Sequence, residues 1–333
     1  MPNSSTLNPS VRWDSPGPGT LRRWQALIPG WFAAEARDLP WRRPDCTPWG
    51  VLVSEIMLQQ TPVVRVLPRW EDWMRRWPAP ADLAAAPTGD VLRAWDRLGY
   101  PRRALRLKEA AAAITARHGG KVPEDEAELR ALPGIGEYTA AAVAAFAHGR
   151  RSTVLDTNIR RVLARAARGE AAPPPALSRT EYRWAAALVP EDEAVSVRWN
   201  AGLMELGALV CTARSPRCTA CPLAADCTWL AAGRPGAEAP TVRKQTWHGT
   251  DRQLRGAVLA VLRAGDAAVP RGLLVSGREG TASVPESLTE SQLEALARLR
   301  RLNPDPARMD RIVTGLIGDR LAQENPEGLT LPD

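Results

Sequence analysis

No stretch of about 18 uninterrupted apolar residues occurs in the 333-residue sequence, so no segment reads as a membrane-spanning helix. The first twenty residues, rich in Pro, Ser, Asn and Gly, lack the basic start and apolar run of a secretory signal. They read as a disordered tail, and a cytoplasmic location is expected. Histidine is scarce: His118, His148 and His248 show no partner pattern, and none is assigned as catalyst or ligand. Strand alternation and internal repeats are also missing, which excludes β-rich and repeat architectures. Phe (2) and Tyr (3) are few beside 13 Trp. Trp70, Trp73 and Trp77 fall at helical i, i+3, i+7 spacing and read as core rather than as a base-stacking platform.

Cysteine is also sparse, with five residues, yet four of them crowd one stretch: Cys211, Cys218, Cys221 and Cys227, spaced C-x6-C-x2-C-x5-C. So tight a loop could not easily hold two unstrained disulfides, so a four-thiolate metal site is the better reading. Structural zinc usually uses two close pairs separated by a long insert. A single central pair with longer arms favours the larger [4Fe–4S] cluster over zinc. Cys46 stands apart as a free thiol. A net charge of +7 and a pI near 9.6 favour an anionic partner. The basic residues are nearly all Arg, which suits phosphate recognition, although Ala-, Arg- and Pro-rich usage also reflects coding bias.

From Leu21 to Leu230 the apolar periodicity is helical almost throughout, punctuated by Pro and Gly, and predicts an all-α architecture. Residues 231–250 turn polar and rich in Pro and Gly, the mark of a linker, and 251–333 form a small C-terminal module. Its last helix, Pro306 to Leu321, followed by QENPEGLTLP, resembles the recognition helix and wing of a winged-helix module; a simple helical packing domain is the alternative.

Three segments carry chemistry. Leu132-Pro133-Gly134-Ile135-Gly136 joins two helices as a helix-hairpin-helix signature. Its glycines let the backbone approach a phosphate, and the next helix aims its free N–H groups at it, a grip that ignores base sequence. Glu55, in SEIMLQQT, is a carboxylate among hydrophobes, where a raised pKa would let it donate a proton at neutral pH; the alternative is a Glu that merely complements its helix dipole. Asp156, in VLDTNIRRV, stands at a helix N-cap, and plain capping is its alternative role. Were these two carboxylates to converge, they would supply an acid and a stabiliser for an oxocarbenium-like sugar.

Together these segments resemble the helix-hairpin-helix DNA glycosylase superfamily, and within it the MutY-like adenine glycosylases. The resemblance covers roughly Leu21 to Leu230. It rests on LPWRRPDCTPWGVLVSEIMLQQT at 39–61, LGY at 98–100, LPGIGEYTAAAV at 132–143, VLDTNIRRVLAR at 154–165, NAGLMELGALVC at 200–211 and the cysteine loop. It implies a two-lobed fold: a six-helix barrel domain over 42–150 and a discontinuous iron–sulfur domain over 21–41 and 151–230. It further implies removal of adenine mispaired with 8-oxoguanine or guanine, with Glu55 protonating the base and Asp156 stabilising the sugar cation, assisted by Tyr138 and Asn158. Gln60 and Tyr100 would wedge into the duplex, Leu132, Gly134, Ile135 and Gly136 would hold phosphate, and Arg214 and Arg217 would reach phosphate from the cluster loop. Double-stranded DNA with a mismatched adenine is then the expected partner, met by a monomer at the nucleoid.

Strand-nicking relatives carry a lysine nucleophile where this chain has Tyr138, which argues against Schiff-base lyase chemistry. Thymine-specific relatives typically lack L-Q-Q-T and form the alternative activity; a catalytically silent iron–sulfur DNA-binding protein is another. Pro101 replaces a second tyrosine common in the family, and Thr157 stands where Gly is common. The pyrophosphohydrolase-like module that senses 8-oxoguanine in many members is not recognisable in 251–333.

Overall fold

The computed structural model describes residues 13–237, 248–276 and 284–333. Among these the protein is helical apart from one short hairpin, and its contacts divide it into two compact units.

The first unit takes residues up to Glu55, 122–131 and 135–241. Helix Pro18–Glu35 packs on Glu193–Leu209, which packs in turn on Thr157–Arg168. Small residues permit these approaches. A Cβ at Gly202 would stand 2.5 Å from Ile28 Cγ2, and one at Gly207 2.6 Å from Asn158 Cβ. Trp24, Ile28, Trp199, Leu203 and Leu206 fill the core between them. The tail expected over 1–20 lies outside the described residues up to residue 12. Beyond that, Trp13 packs tilted against Trp184 at 5.4 Å with the Arg168 guanidinium 3.9 Å from its ring, and Pro18 opens the first helix. An aromatic between a ring and a cation gains enough contact to order a segment that composition alone marks as loose.

The second unit takes 56–121, 132–134 and residues from 242 onward. Helices Val63–Arg76, Thr88–Trp95 and Arg102–His118 surround Trp73, with Trp77 and Trp95 edge-on at 4.6 and 5.6 Å. Trp70, Trp73 and Trp77 are all buried, as their spacing predicts. The C-terminal helices Asp251–Arg263, Arg271–Val275, Glu290–Arg301 and Pro306–Gly318 precede a hairpin of β1, Gln323–Asn325, and β2, Gly328–Thr330. Leu329 of β2 also forms an isolated antiparallel bridge with Val269, so the helix Pro306–Gly318 is followed by a short hairpin. Of the linker at 231–250, residues 238–247 lie outside the described residues.

The Pro48–Leu58 helix crosses the division, with Glu55 the last residue of the first unit. The hairpin Leu132–Gly136 follows the short helix Glu126–Arg130, whose N-cap Asp125 accepts from Ala127 N and Glu128 N. Gly134 sits at φ +76°, and a Cβ there would also strike Arg106 Cβ at 2.6 Å, so glycine is required twice over.

Candidate active site and cluster loop

Glu55 is buried on an almost wholly apolar helix. Tyr138, one residue into helix Glu137–His148, donates its hydroxyl to Glu55 Oε2 at 3.0 Å. Burial lifts the Glu55 carboxyl to about 7; the Tyr138 hydrogen bond opposes this, the Asp156 charge adds to it and Arg42 opposes it weakly. The two carboxylates therefore converge closely enough to feel one another. Tyr138 is pushed well above its usual range by burial and then by the two carboxylates, so it remains a hydroxyl donor.

Asp156 caps helix Thr157–Arg168. Its Oδ1 accepts from Ile159 N at 2.6 Å and its Oδ2 from Asn158 Nδ2 at 2.7 Å. Burial raises its pKa, while these hydrogen bonds and the Arg161 charge work the other way. The capping role weighed from sequence is real, and the same carboxylate's charge also reaches Glu55. Burial thus raises both carboxyls, Glu55 to about 7, while several donors work to lower Asp156.

The arrangement is braced by residues that the sequence reading passed over. Arg161 Nη2 donates to Asn158 Oδ1 at 2.8 Å and to Gly207 O at 2.7 Å, and its Nε to Cys211 O at 2.8 Å. Gly207 lets the two helices close far enough for this. Glu205, fully buried, accepts from Arg37 Nε and Nη2 at 2.7 and 2.8 Å, from Arg37 N at 3.1 Å and from Arg42 Nη2 at 2.9 Å. Against its burial, these donors hold Glu205 down at about 2. Arg42 lies in LPWRR, Arg161 in VLDTNIRRV and Glu205 in NAGLMELG; a buried Glu amid small residues was the available signal.

The four cysteines line one small cavity together with Arg165, Val210 and Trp229. Among the described residues no three His, Cys, Asp or Glu side chains converge on a single ion. The sulfurs stand around the cavity, so a group that spans it fits them. Arg165 donates from Nη1 to Cys211 Sγ at 3.4 Å and to Thr212 O at 2.7 Å, its guanidinium stacked 4.5 Å from the Trp229 ring. N–H donation to a thiolate suits a cluster ligand.

In the second unit, exposed Gln60 and Tyr100 occupy left-handed backbone, at φ 55° and 46°. One guanidinium joins their loops. Arg103 donates to Ile56 O and Gln59 O at 2.8 and 2.6 Å, and to Leu98 O and Gly99 O at 3.2 and 3.1 Å. In the hairpin, Leu132 and Ile135 point their side chains into the core, so they can offer a ligand only backbone. Gly136 caps the following helix with open space at its Cβ position. Arg214 is exposed; Arg217 is exposed too and donates to Leu209 O at 2.8 Å. Cys46 stands outside the cluster loop, and the three histidines take no part in either site.

Residues 53–186 match the family of HhH-GPD superfamily base excision DNA repair proteins, and residues 211–227 match the iron–sulfur binding domain of endonuclease III. The chain is 53% identical over 246 residues to an adenine DNA glycosylase of Mycobacterium tuberculosis (strain CDC 1551 / Oshkosh), covering 73% of this chain and 80% of that one. It is 46% identical over 298 residues to an adenine DNA glycosylase of Mycolicibacterium smegmatis, covering 90% and 92%. An alignment that long reaches into the C-terminal module. The solved structure of a thermostable thymine-DNA glycosylase superposes with a TM-score of 0.57 at 26% identity, over 64% of this chain and 98% of that one.

Proposed function

The chain belongs to the adenine DNA glycosylases of the HhH-GPD base excision repair superfamily, and from that premise we propose that it removes adenine mispaired with 8-oxoguanine or guanine. It is a hydrolase of N-glycosyl bonds that carries a [4Fe–4S] cluster. The observation that carries the mechanism is the pairing of Glu55, raised to about 7, with the hydrogen-bonded Asp156.

Protonated Glu55 gives its proton to a nitrogen of the extruded base as the bond from sugar C1′ to the base breaks and its electron pair leaves with the base. Asp156, oriented by Asn158 and Ile159 N, faces the cationic sugar and stabilises it. Water adds to C1′, and its proton returns to the Glu55 carboxylate. Tyr138 keeps Glu55 in place by donating to Oε2. The Tyr138 side chain has no amine, so strand nicking through a Schiff base is not expected. Cys211, Cys218, Cys221 and Cys227 would hold the cluster, which supplies structural order to a loop bearing Arg214 and Arg217. Gly134 and Gly136 would bring backbone N–H groups to a phosphate.

Excision measured across mismatched duplexes tests this reading. Alkali-labile sites at adenine opposite 8-oxoguanine support it; their absence, with cleavage at thymine opposite guanine, would transfer the chain to thymine excision. Borohydride trapping of a strong covalent adduct would contradict the hydrolytic course.

A further inference from the structure

We propose that the C-terminal module supplies a positioning residue, Arg252, to the Tyr100 wedge, an inference that rests on the excision reading above. Tyr100 needs outside support. It is a non-glycine residue at φ 46°, in a loop where Asp96 (φ 42°) is also left-handed, and such conformations persist only where their surroundings hold them. Arg103 and Trp95 Nε1, the latter at 2.9 Å from Gly99 O, fix the backbone before Tyr100. They leave the side chain 45% exposed. The ring itself is met by two guanidinium groups: Arg103 at 5.6 Å and, closer, Arg252 at 4.4 Å from its centroid.

Arg252 lies in the first turn of helix Asp251–Arg263, whose N-cap Thr250 accepts from Gln253 N. Contacts elsewhere fix that helix on the wedge's own supports. Arg263 Nη1 donates to Asp96 O at 2.8 Å, Arg93 pairs with Asp266, and Asp319 is shared by Arg102 at 3.3 Å and Arg255 at 2.5 Å. The neighbouring acid, Asp251, is engaged by Arg308 at 2.6 Å. Arg252 is therefore carried to the ring by the module, and its placement does not depend on the stacking alone.

Elsewhere in the module, Arg271 pairs with both Asp310 and Glu324, and Glu327 sits at the hairpin turn. A planar guanidinium over the Tyr100 ring fixes its angle in a way an ammonium cannot.

The test compares wild type, Arg252→Ala and Arg252→Lys, on duplexes with adenine opposite 8-oxoguanine and on fully matched duplexes. A 2-aminopurine beside the orphaned base reports unstacking. Arg252→Ala is expected to weaken mismatched binding by about two- to fivefold, the scale of an exposed cation–π contact. It should lower the unstacking signal and, in proportion, the single-turnover rate on the mismatched duplex, and leave matched binding unchanged. Arg252→Lys should restore only part of the signal. No change in Arg252→Ala, or an equal loss on matched and mismatched duplexes as a phosphate contact gives, overturns the proposal. Wild type failing to excise adenine defeats the excision reading instead.

Discussion

Replacing Glu55 by Gln separates what the site does from what it costs the fold. The carboxyl rises from an ordinary 4.5 to about 7, chiefly through burial. At about 1.4 kcal/mol per pH unit, ionising it in the folded protein costs about 3 kcal/mol. Because the folded pKa is the higher one, Glu55 contributes stability fully below about pH 4.5, and that contribution is lost as pH rises through about 7. Gln keeps the shape and can still accept the Tyr138 hydroxyl, but never ionises. Glu55→Gln should therefore abolish excision, bind duplex like wild type, and resist urea better at pH 8 by up to about 3 kcal/mol, the advantage vanishing towards pH 4.5. Wild-type single-turnover excision should fall as pH rises through the region of 7. Urea unfolding at several pH values measures the first effect. A stability difference that is absent at pH 8, or that does not change with pH, would refute a buried carboxyl of raised pKa and with it the acid role.

Asp156→Asn should lose excision while keeping the helix cap, whereas Asp156→Ala should lose excision and about 1 kcal/mol of stability besides, compared by urea unfolding. Gly207→Ala drives a Cβ to 2.6 Å from Asn158 Cβ and 2.9 Å from its carbonyl oxygen, so it should cost about 1–3 kcal/mol and depress the excision rate. Gly256→Ala, in an exposed helix interior with nothing within 4 Å, should be neutral or stabilise by up to about 1 kcal/mol. Cys218→Ser should diminish the cluster's visible absorption, weaken duplex binding and lower the melting temperature, while single-turnover excision at saturating enzyme stays within a few-fold of wild type.

Much of the protein was legible in the chain because local physics repeats along it. Helical periodicity marked 21–230 as helical, as observed, and the Trp70, Trp73, Trp77 spacing marked a core face. Caps such as Asp156 and turns such as Gly134 depend on neighbours a few residues away, so residue type announces them. Trp13 was not legible: its partners, Trp184 and Arg168, lie more than 150 residues distant. Arg103 gave no signal either, since what it binds are backbone carbonyls, which every residue possesses.

The order of motifs by itself determined the family, the cluster and the two candidate carboxylates, because each requires particular side chains at fixed short spacings. Whether Glu55 and Asp156 lie near enough to feel one another was decided only by tertiary structure. Their charges couple across about a hundred residues of chain, and burial, which no single residue carries in its identity, sets one at about 7. The same holds for Arg161, which reaches Asn158 and the carbonyl of Cys211 because Gly207 lets two helices close, and for Arg252, brought to Tyr100 by a module folded against the same helices.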